Sequence, residues 1–204
     1  MSRKAHWQTV YESKAPTGVS WYQPHLDLSL QLIIDTKISS EAGIIDIGGG
    51  ASTLVDDLLA RGFKHITVLD ISLAALGASQ ARLGESAETV TWLEADVLDA
   101  PLPKQTYDVW HDRAVFHFLT DSGDREKYAA ALEHSVKPLG HVIMATFGLD
   151  GPTKCSGLDV VRYDPDRMQA ELGDQFMLIE KQSETHRTPA GTTQQFIYCH
   201  FQKQ

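Results

Sequence analysis

Three consecutive glycines, Gly48-Gly49-Gly50, follow the short apolar run Ile44-Ile45-Asp46-Ile47 and lead through Ala51-Ser52 into an amphipathic pattern. A buried strand that turns on glycine into a helix leaves the first N–H groups of that helix bare and facing a ligand, which suits a nucleotide-like molecule. Asp46 stands two positions before the turn. A carboxylate at the end of a buried strand is costly unless it meets a cation or several donors, and a pyrophosphate has the wrong sign. Asp70, in Val68-Leu69-Asp70-Ile71, is placed to accept both hydroxyls of a ribose, and Asp96, in Glu94-Ala95-Asp96-Val97, to accept from an adenine amino group. The densest polar cluster is His111-Asp112-Arg113-Ala114-Val115-Phe116-His117. There Asp112 would help position the ligand, and His117 or His111 would take a proton from a substrate.

Alternating strands and helices must carry these residues, which implies a parallel sheet with helices on both faces. The apolar spacing predicts a helix around 25–37, a strand at 44–47, and a helix through Leu54, Val55 and Leu58 that stops near Gly62. It predicts a second strand at 66–70 and an alanine-rich helix at 73–83 capped by Ser72. Strands at 90–93, 107–111 and 141–147 follow, with helical sequence through Tyr128, Leu132 and Val136 between the last two. A short helix near 166–172 and two β-like runs, 176–181 and 195–201, close the chain, with hairpin punctuation at Pro189 and Gly191. Residues 1–24 read as an N-terminal arm or lid anchored by Trp7, Tyr11, Trp21 and Tyr22, on a single domain spanning 1–204.

At 204 residues the chain is long enough for one sizeable core, and 42% hydrophobic with 22% charged residues is ordinary for a globular protein. A net charge of −9 with no Lys/Arg-rich run argues against nucleic acid as a partner. No apolar stretch has the length of a membrane helix and none resembles a signal-peptide core, so the expected setting is cytoplasmic. Cys155 and Cys199, the two cysteines, have no metal-ligand spacing. Cys155 lies in the loop 148–157, where lids are often built, and is expected as an apolar filler rather than a substrate contact. Arg162 and Tyr163 are candidates for binding a substrate anion, with a surface ion pair the plainer expectation for Arg162, and His186-Arg187 lies in the terminal hairpin near the same mouth.

A dinucleotide site would want a third glycine where this chain has Thr53, and none of its tyrosines (11, 22, 107, 128, 163, 198) has the Lys four residues on that short-chain dehydrogenases use. The ammonium and sulfonium of S-adenosylmethionine (SAM) fit Asp46 better. From Ile44 to Phe147 the chain resembles the class I, seven-stranded SAM-dependent methyltransferases: Asp46-x-Gly48-x-Gly50, then Asp70, Asp96, Tyr107-Asp108-Val109-Trp110-His111-Asp112, and the turn Lys137-Pro138-Leu139-Gly140. Ser52 stands where many members have another glycine. The resemblance implies a Rossmann-like fold, a doubly wound and mostly parallel sheet ending in an antiparallel hairpin. It implies SAM as methyl donor and S-adenosylhomocysteine (SAH) as product, with cofactor contacts at Asp46, Gly48, Gly49, Gly50, Ser52, Asp70, Ile71, Asp96, Val97, Asp112 and Trp21. The arm, His6-Trp7-Gln8-Thr9-Val10-Tyr11 and later Ser20-Trp21-Tyr22, looks like the one in a group that includes protein-lysine methyltransferases. The expected acceptor is nonetheless an O, N or S atom of a small molecule, with a protein lysine as alternative. An NAD(P)-dependent oxidoreductase and a non-catalytic SAM-binding protein are the competing classes.

Overall fold

The structure, a computed structural model, describes residues 2–204. Its centre is a seven-stranded sheet in the spatial order β3-β2-β1-β4-β5-β9-β8. The strands are β1 (Gly43–Ile47), β2 (His65–Asp70), β3 (Thr91–Glu94), β4 (Tyr107–Arg113), β5 (Val136–Phe147), β8 (Phe176–Arg187) and β9 (Thr193–Lys203). β1 to β5 pair in parallel, whereas β9 runs antiparallel to both β5 and β8. A two-stranded ribbon, β6 (Lys154–Cys155) and β7 (Leu158–Asp159), sits in the loop after β5. The helices are α1 (Arg3–Ser13), α2 (Asp27–Asp35), α3 (Leu54–Ala60), α4 (Leu73–Leu83), α5 (Ser122–Ser135) and α6 (Pro165–Leu172).

Alternation along the strands builds two cores. Ile45, Trp110, Val142 and Met144 face α5 and α6 through Tyr128, Leu132, Met168 and Leu172. Their neighbours Ile44, Val109 and Ile143 face α2 and α3 through Leu32, Ile33, Leu54 and Leu58. Because β1, β2, β4 and the C-terminal half of β5 are buried on both faces, their apolar runs are nearly continuous, which is what made them visible in the sequence. Ser72 caps α4 by accepting from the N–H of Ala75 at 3.2 Å. Among the described residues no helix is long and apolar enough to cross a membrane.

Four segments differ from expectation. The arm is not irregular: α1 is a full helix whose Ser2 cap accepts from the N–H of Ala5. The terminal strands are longer than predicted and close on the turn Thr188–Thr192, where Gly191 takes φ +84°. β5 begins at Val136, directly from α5, and absorbs Pro138-Leu139-Gly140 as an irregularity with Leu139 at φ +62°.

β4 also runs two residues past its expected end and then breaks at Ala114, φ +72°. Asp112 makes that break. Its carboxylate accepts from the N–H groups of Val115 at 2.9 Å and Phe116 at 3.1 Å, and from the Tyr128 hydroxyl at 2.5 Å. Tyr128 in turn accepts from the Trp110 indole at 2.9 Å. All three side chains are fully buried, and burial raises the Asp112 pKa to about 6. Tyr128→Phe removes a donor from a buried carboxylate and an acceptor from a buried indole. It should lower unfolding stability by about 2 kcal/mol at neutral pH, measured by urea denaturation.

Candidate functional site

The crevice opens at the C-terminal ends of β1, β2 and β4, where the strand order reverses between β1 and β4. Each glycine of the turn is there because something stands where a Cβ would go. At Gly48, which also has φ +67°, a Cβ would lie 2.1 Å from a Val115 methyl carbon, and at Gly49 it would lie 2.2 Å from Oδ2 of Asp46. At Gly50 it would meet Ala75 and the Asp70 carboxylate, both at 2.5 Å. The last approach is used: the Gly50 N–H donates to Asp70 Oδ2 at 3.0 Å, while Asp70 Oδ1 accepts from the Ser72 N–H at 2.8 Å.

Asp46 is buried, and the neighbouring strand holds it. His111, its register partner on β4, donates from Nδ1 to Asp46 Oδ1 at 2.7 Å, and in the neutral ring His111 Nε2 accepts from the Ser29 hydroxyl of α2 at 2.9 Å. Asp46 Oδ2 has no hydrogen-bond partner among the described residues. A buried carboxylate oxygen left open beside three glycines suits an ammonium, the fit anticipated for the amino-acid end of SAM.

Two adjoining cavities share Tyr11, Trp21, Ile47, Gly48 and Arg113 in their walls. The larger, about 790 Å³ including its open mouth, is lined by Asp70, Ile71, Asp96, Val97 and Cys155, with Trp7, Phe118 and Leu119. The smaller, about 480 Å³ counted the same way, is lined by Asp46, Gly49, Ser52, Thr53 and His111. The carboxylates for a ribose and an adenine therefore line one cavity, and the amino-acid candidates line the other. Burial raises the Asp70 pKa to about 6 against the pull of its backbone donors. Asp96 Oδ1 accepts from the Leu98 N–H at 3.1 Å, and Arg3 pairs with its other oxygen at 3.3 Å.

α1 roofs the larger cavity. Trp7 meets Phe118 and Trp21 edge to face at 5.0 and 5.7 Å, and the Trp21 indole donates to the Tyr11 hydroxyl at 3.3 Å. Gln8 ties α1 down by accepting from the Ser72 hydroxyl and the Ala74 N–H at the start of α4. The segment behind α1 is tied to the terminal hairpin: His186 Nε2 donates to the Ser20 carbonyl at 2.8 Å, and Gln23 donates to Glu184 at 3.0 Å.

Several sequence candidates land elsewhere. Asp112 lines neither cavity; its oxygens are consumed by the turn after β4 and by Tyr128, so it is not retained as a cofactor contact. His111 borders the smaller cavity, but both ring nitrogens are engaged, so it holds Asp46 rather than serving as a base. His117 is fully buried between the Phe118 and Phe147 rings, accepts from the Phe147 N–H at 3.3 Å, and lines neither cavity. Burial pushes its pKa down to about 3, too weak for a base at neutral pH. Tyr163 is core, and Arg162 binds the carbonyls of Leu149 and Gly151. Arg113 does not pair with Asp112, because consecutive strand residues face opposite ways; it pairs across the sheet with Glu184 at 3.6 Å. Arg3, Trp7 and Tyr11 all line the larger cavity, and their spacing of four was the legible sign of one helix face.

Gly49→Ala would drive a Cβ into Asp46 Oδ2 and force the carboxylate off His111. It should lower unfolding stability by about 1–3 kcal/mol in urea denaturation.

Comparisons with known proteins agree with this geometry. A family model described as a methyltransferase domain matches residues 44–140. The EEF1A lysine methyltransferase 2 of Mus musculus is 22% identical over 72% of this chain, which spans 66% of that protein's length. A structure from work on the conversion of a disulfide bond into a thioacetal group during echinomycin biosynthesis superposes with TM-score 0.78 at 14% identity, covering 99% of this chain and 93% of the other. The Burkholderia thailandensis 1,6-didemethyltoxoflavin-N1-methyltransferase, solved with its substrate and SAH, gives 0.71 at 16% identity, covering 98% and 83%. Residues 44–140 match the methyltransferase-domain family, and the chain carries the fold of the class I SAM-dependent methyltransferases.

Proposed function

We propose that this methyltransferase moves the SAM methyl group onto a small molecule enclosed beneath α1. The observation that carries this reading is the roof: Trp7, Tyr11, Trp21 and Phe118 cover the larger cavity. Enclosure by ring faces suits a compact apolar acceptor better than an extended peptide. The fold neighbour that methylates 1,6-didemethyltoxoflavin is consistent with a small acceptor. A protein lysine is the second reading, favoured by the likeness to EEF1A lysine methyltransferase 2. The chain is read as one domain, 1–204, with residues 1–24 as its lid, working in the cytoplasm, where the free Cys155 and Cys199 would stay reduced.

In this reading Asp70 accepts the ribose hydroxyls, Asp96 the adenine amino group, and Ile71 and Val97 flank the adenine ring. Asp46 Oδ2 would take the ammonium, with Gly48, Gly49, Ser52 and Trp21 around the amino-acid end and Gly50 acting through its N–H on Asp70. SAM supplies a methyl group on a positively charged sulfur that leaves readily. The protein's part is to hold the acceptor in line with that methyl group and to exclude water, which the aromatic roof is built to do.

Incubating the protein with SAM and either a panel of small aromatic acceptors or an EEF1A-derived lysyl peptide tests the reading. SAH release with members of the small-molecule panel is expected, and release with the peptide alone would overturn it. A second test concerns Asp70, which must be ionised to accept two hydroxyls. SAH affinity should be full above pH 6 and weaken as pH falls through about 6, the pH at which Asp70 protonates. Asp70→Ala should cost at least about tenfold in affinity at pH 7.5 and flatten that dependence, read by titration calorimetry.

A further inference from the structure

We infer that Arg113 makes the acceptor pocket specific for an anionic nucleophile, a compact aromatic molecule whose methyl-accepting atom is a thiolate sulfur or an ionised oxygen. The inference rests on the methyl-transfer reading above and names the acceptor's charge within it. Arg113 lines both cavities where they meet, yet its side chain is only 5% exposed. Nε donates to the Tyr198 hydroxyl and Nη1 to the Trp21 carbonyl, each at 3.0 Å, and the guanidinium lies 4.5 Å over the Phe196 ring. Its Nη2 has no hydrogen-bond acceptor among the described residues. Glu184 Oε2 is ion-paired with Nη2 at 3.6 Å, too long for a hydrogen bond, and accepts from the Tyr198 hydroxyl at 3.4 Å, while Oε1 is taken by Gln23. A buried cation with an unmet donor is one that an anion in the cavity would satisfy.

The other cation in the larger cavity, Arg3, is committed to Asp96 at 3.3 Å and Asp124 at 2.9 Å. Of the titratable groups in the two cavities Arg113 lines, Asp46, Asp70 and Asp96 are given to the cofactor in this reading, and the groups beside the guanidinium offer no base. Glu184 and Tyr198 are its own partners, and His186 has both nitrogens engaged, by the Ser20 carbonyl and by Gln23. His117 lines neither cavity, and burial holds the Cys155 thiol up at about 11. An ammonium acceptor would enter as a cation beside a guanidinium and a sulfonium, with nothing to take its proton. Like charges brought together in a poorly screened cavity repel, which weakens binding of a cationic acceptor. An acidic S–H or O–H group instead loses its proton to water before binding and is held as the anion. Its lone pair then forms the bond to the methyl carbon as the carbon–sulfur bond of the donor breaks. That bond's electron pair stays on sulfur, so sulfonium and anion are neutralised together. Trp7, Phe118, Val115 and Leu119 supply the apolar walls for the acceptor's ring.

Benzoate, benzamide and benzylammonium have nearly one shape and carry negative, zero and positive charge. Titrated into the SAH-loaded protein, benzoate should bind at least tenfold tighter than benzamide, and benzylammonium most weakly. Arg113→Gln should abolish the preference for benzoate, and Arg113→Lys should retain part of it. Benzamide or benzylammonium binding as tightly as benzoate would overturn the inference, as would an unchanged preference in Arg113→Gln. If Arg113→Gln does not fold, the unmodified protein's series decides alone. SAH titration on the same samples separates the two levels: no SAH binding sinks the methyl-transfer reading, and SAH binding without an anion preference sinks only this one.

Discussion

The hydrogen bond between His111 and Asp46 is the contact on which the crevice depends. It joins β1 to β4 at the place where the strand order reverses, and the Ser29 hydroxyl anchors it from α2. An isolated carboxylate there would be expelled or protonated. Held by one oxygen, it presents the other to the glycine turn, and the turn in turn can approach because Gly49 has no side chain to obstruct it. Strand pairing, helix packing and ligand geometry thus converge on a single buried polar contact.

A second carboxylate one strand residue away does different work. Asp112 faces the opposite side of the sheet from His111, and there it stops β4 and starts the turn that delivers Val115 against Gly48. Asp46 and Asp112 have comparable burial but different remaining capacity. The first keeps an oxygen unpartnered, whereas the second is saturated by two backbone donors and a tyrosine. Residual hydrogen-bonding capacity, rather than charge or burial, separates a group available for binding from one that organises the fold.

The same distinction explains what could be read from the chain beforehand. Doubly buried strands leave continuous apolar runs, so β1, β2 and β4 were legible, as were the glycines, which answer a steric demand made by their own neighbours. Asp70 and Asp96 were legible because their position at the ends of β2 and β3 determines where they point. His111, Asp112 and His117 were misassigned for a geometric reason. The apolar pattern of β4 stops at His111, whereas the strand runs on to Arg113, so Asp112 lies inside the strand and His117 in the buried turn beyond it rather than at the crevice. α1 was missed as a helix because its functional face is Arg3, Trp7 and Tyr11, a mixed stripe unlike the aliphatic stripe that marks a core helix. The contacts that tie residues 20–23 to β8 join positions more than 160 apart, beyond any local pattern.

Those long-range ties carry a thermodynamic consequence. The cavity wall is contributed by α1 and the segment behind it, and that wall is kept in place from the far end of the chain by His186 and Glu184, and from the end of β4 by Arg113. Free energy spent ordering the wall and free energy gained on filling the cavity are then entries in one linked equilibrium. Residues of the terminal hairpin that never touch a ligand therefore set part of its affinity. Conversely, an occupied cavity should slow amide exchange in α1 and in the hairpin together, as one cooperative unit assembled from opposite ends of the sequence.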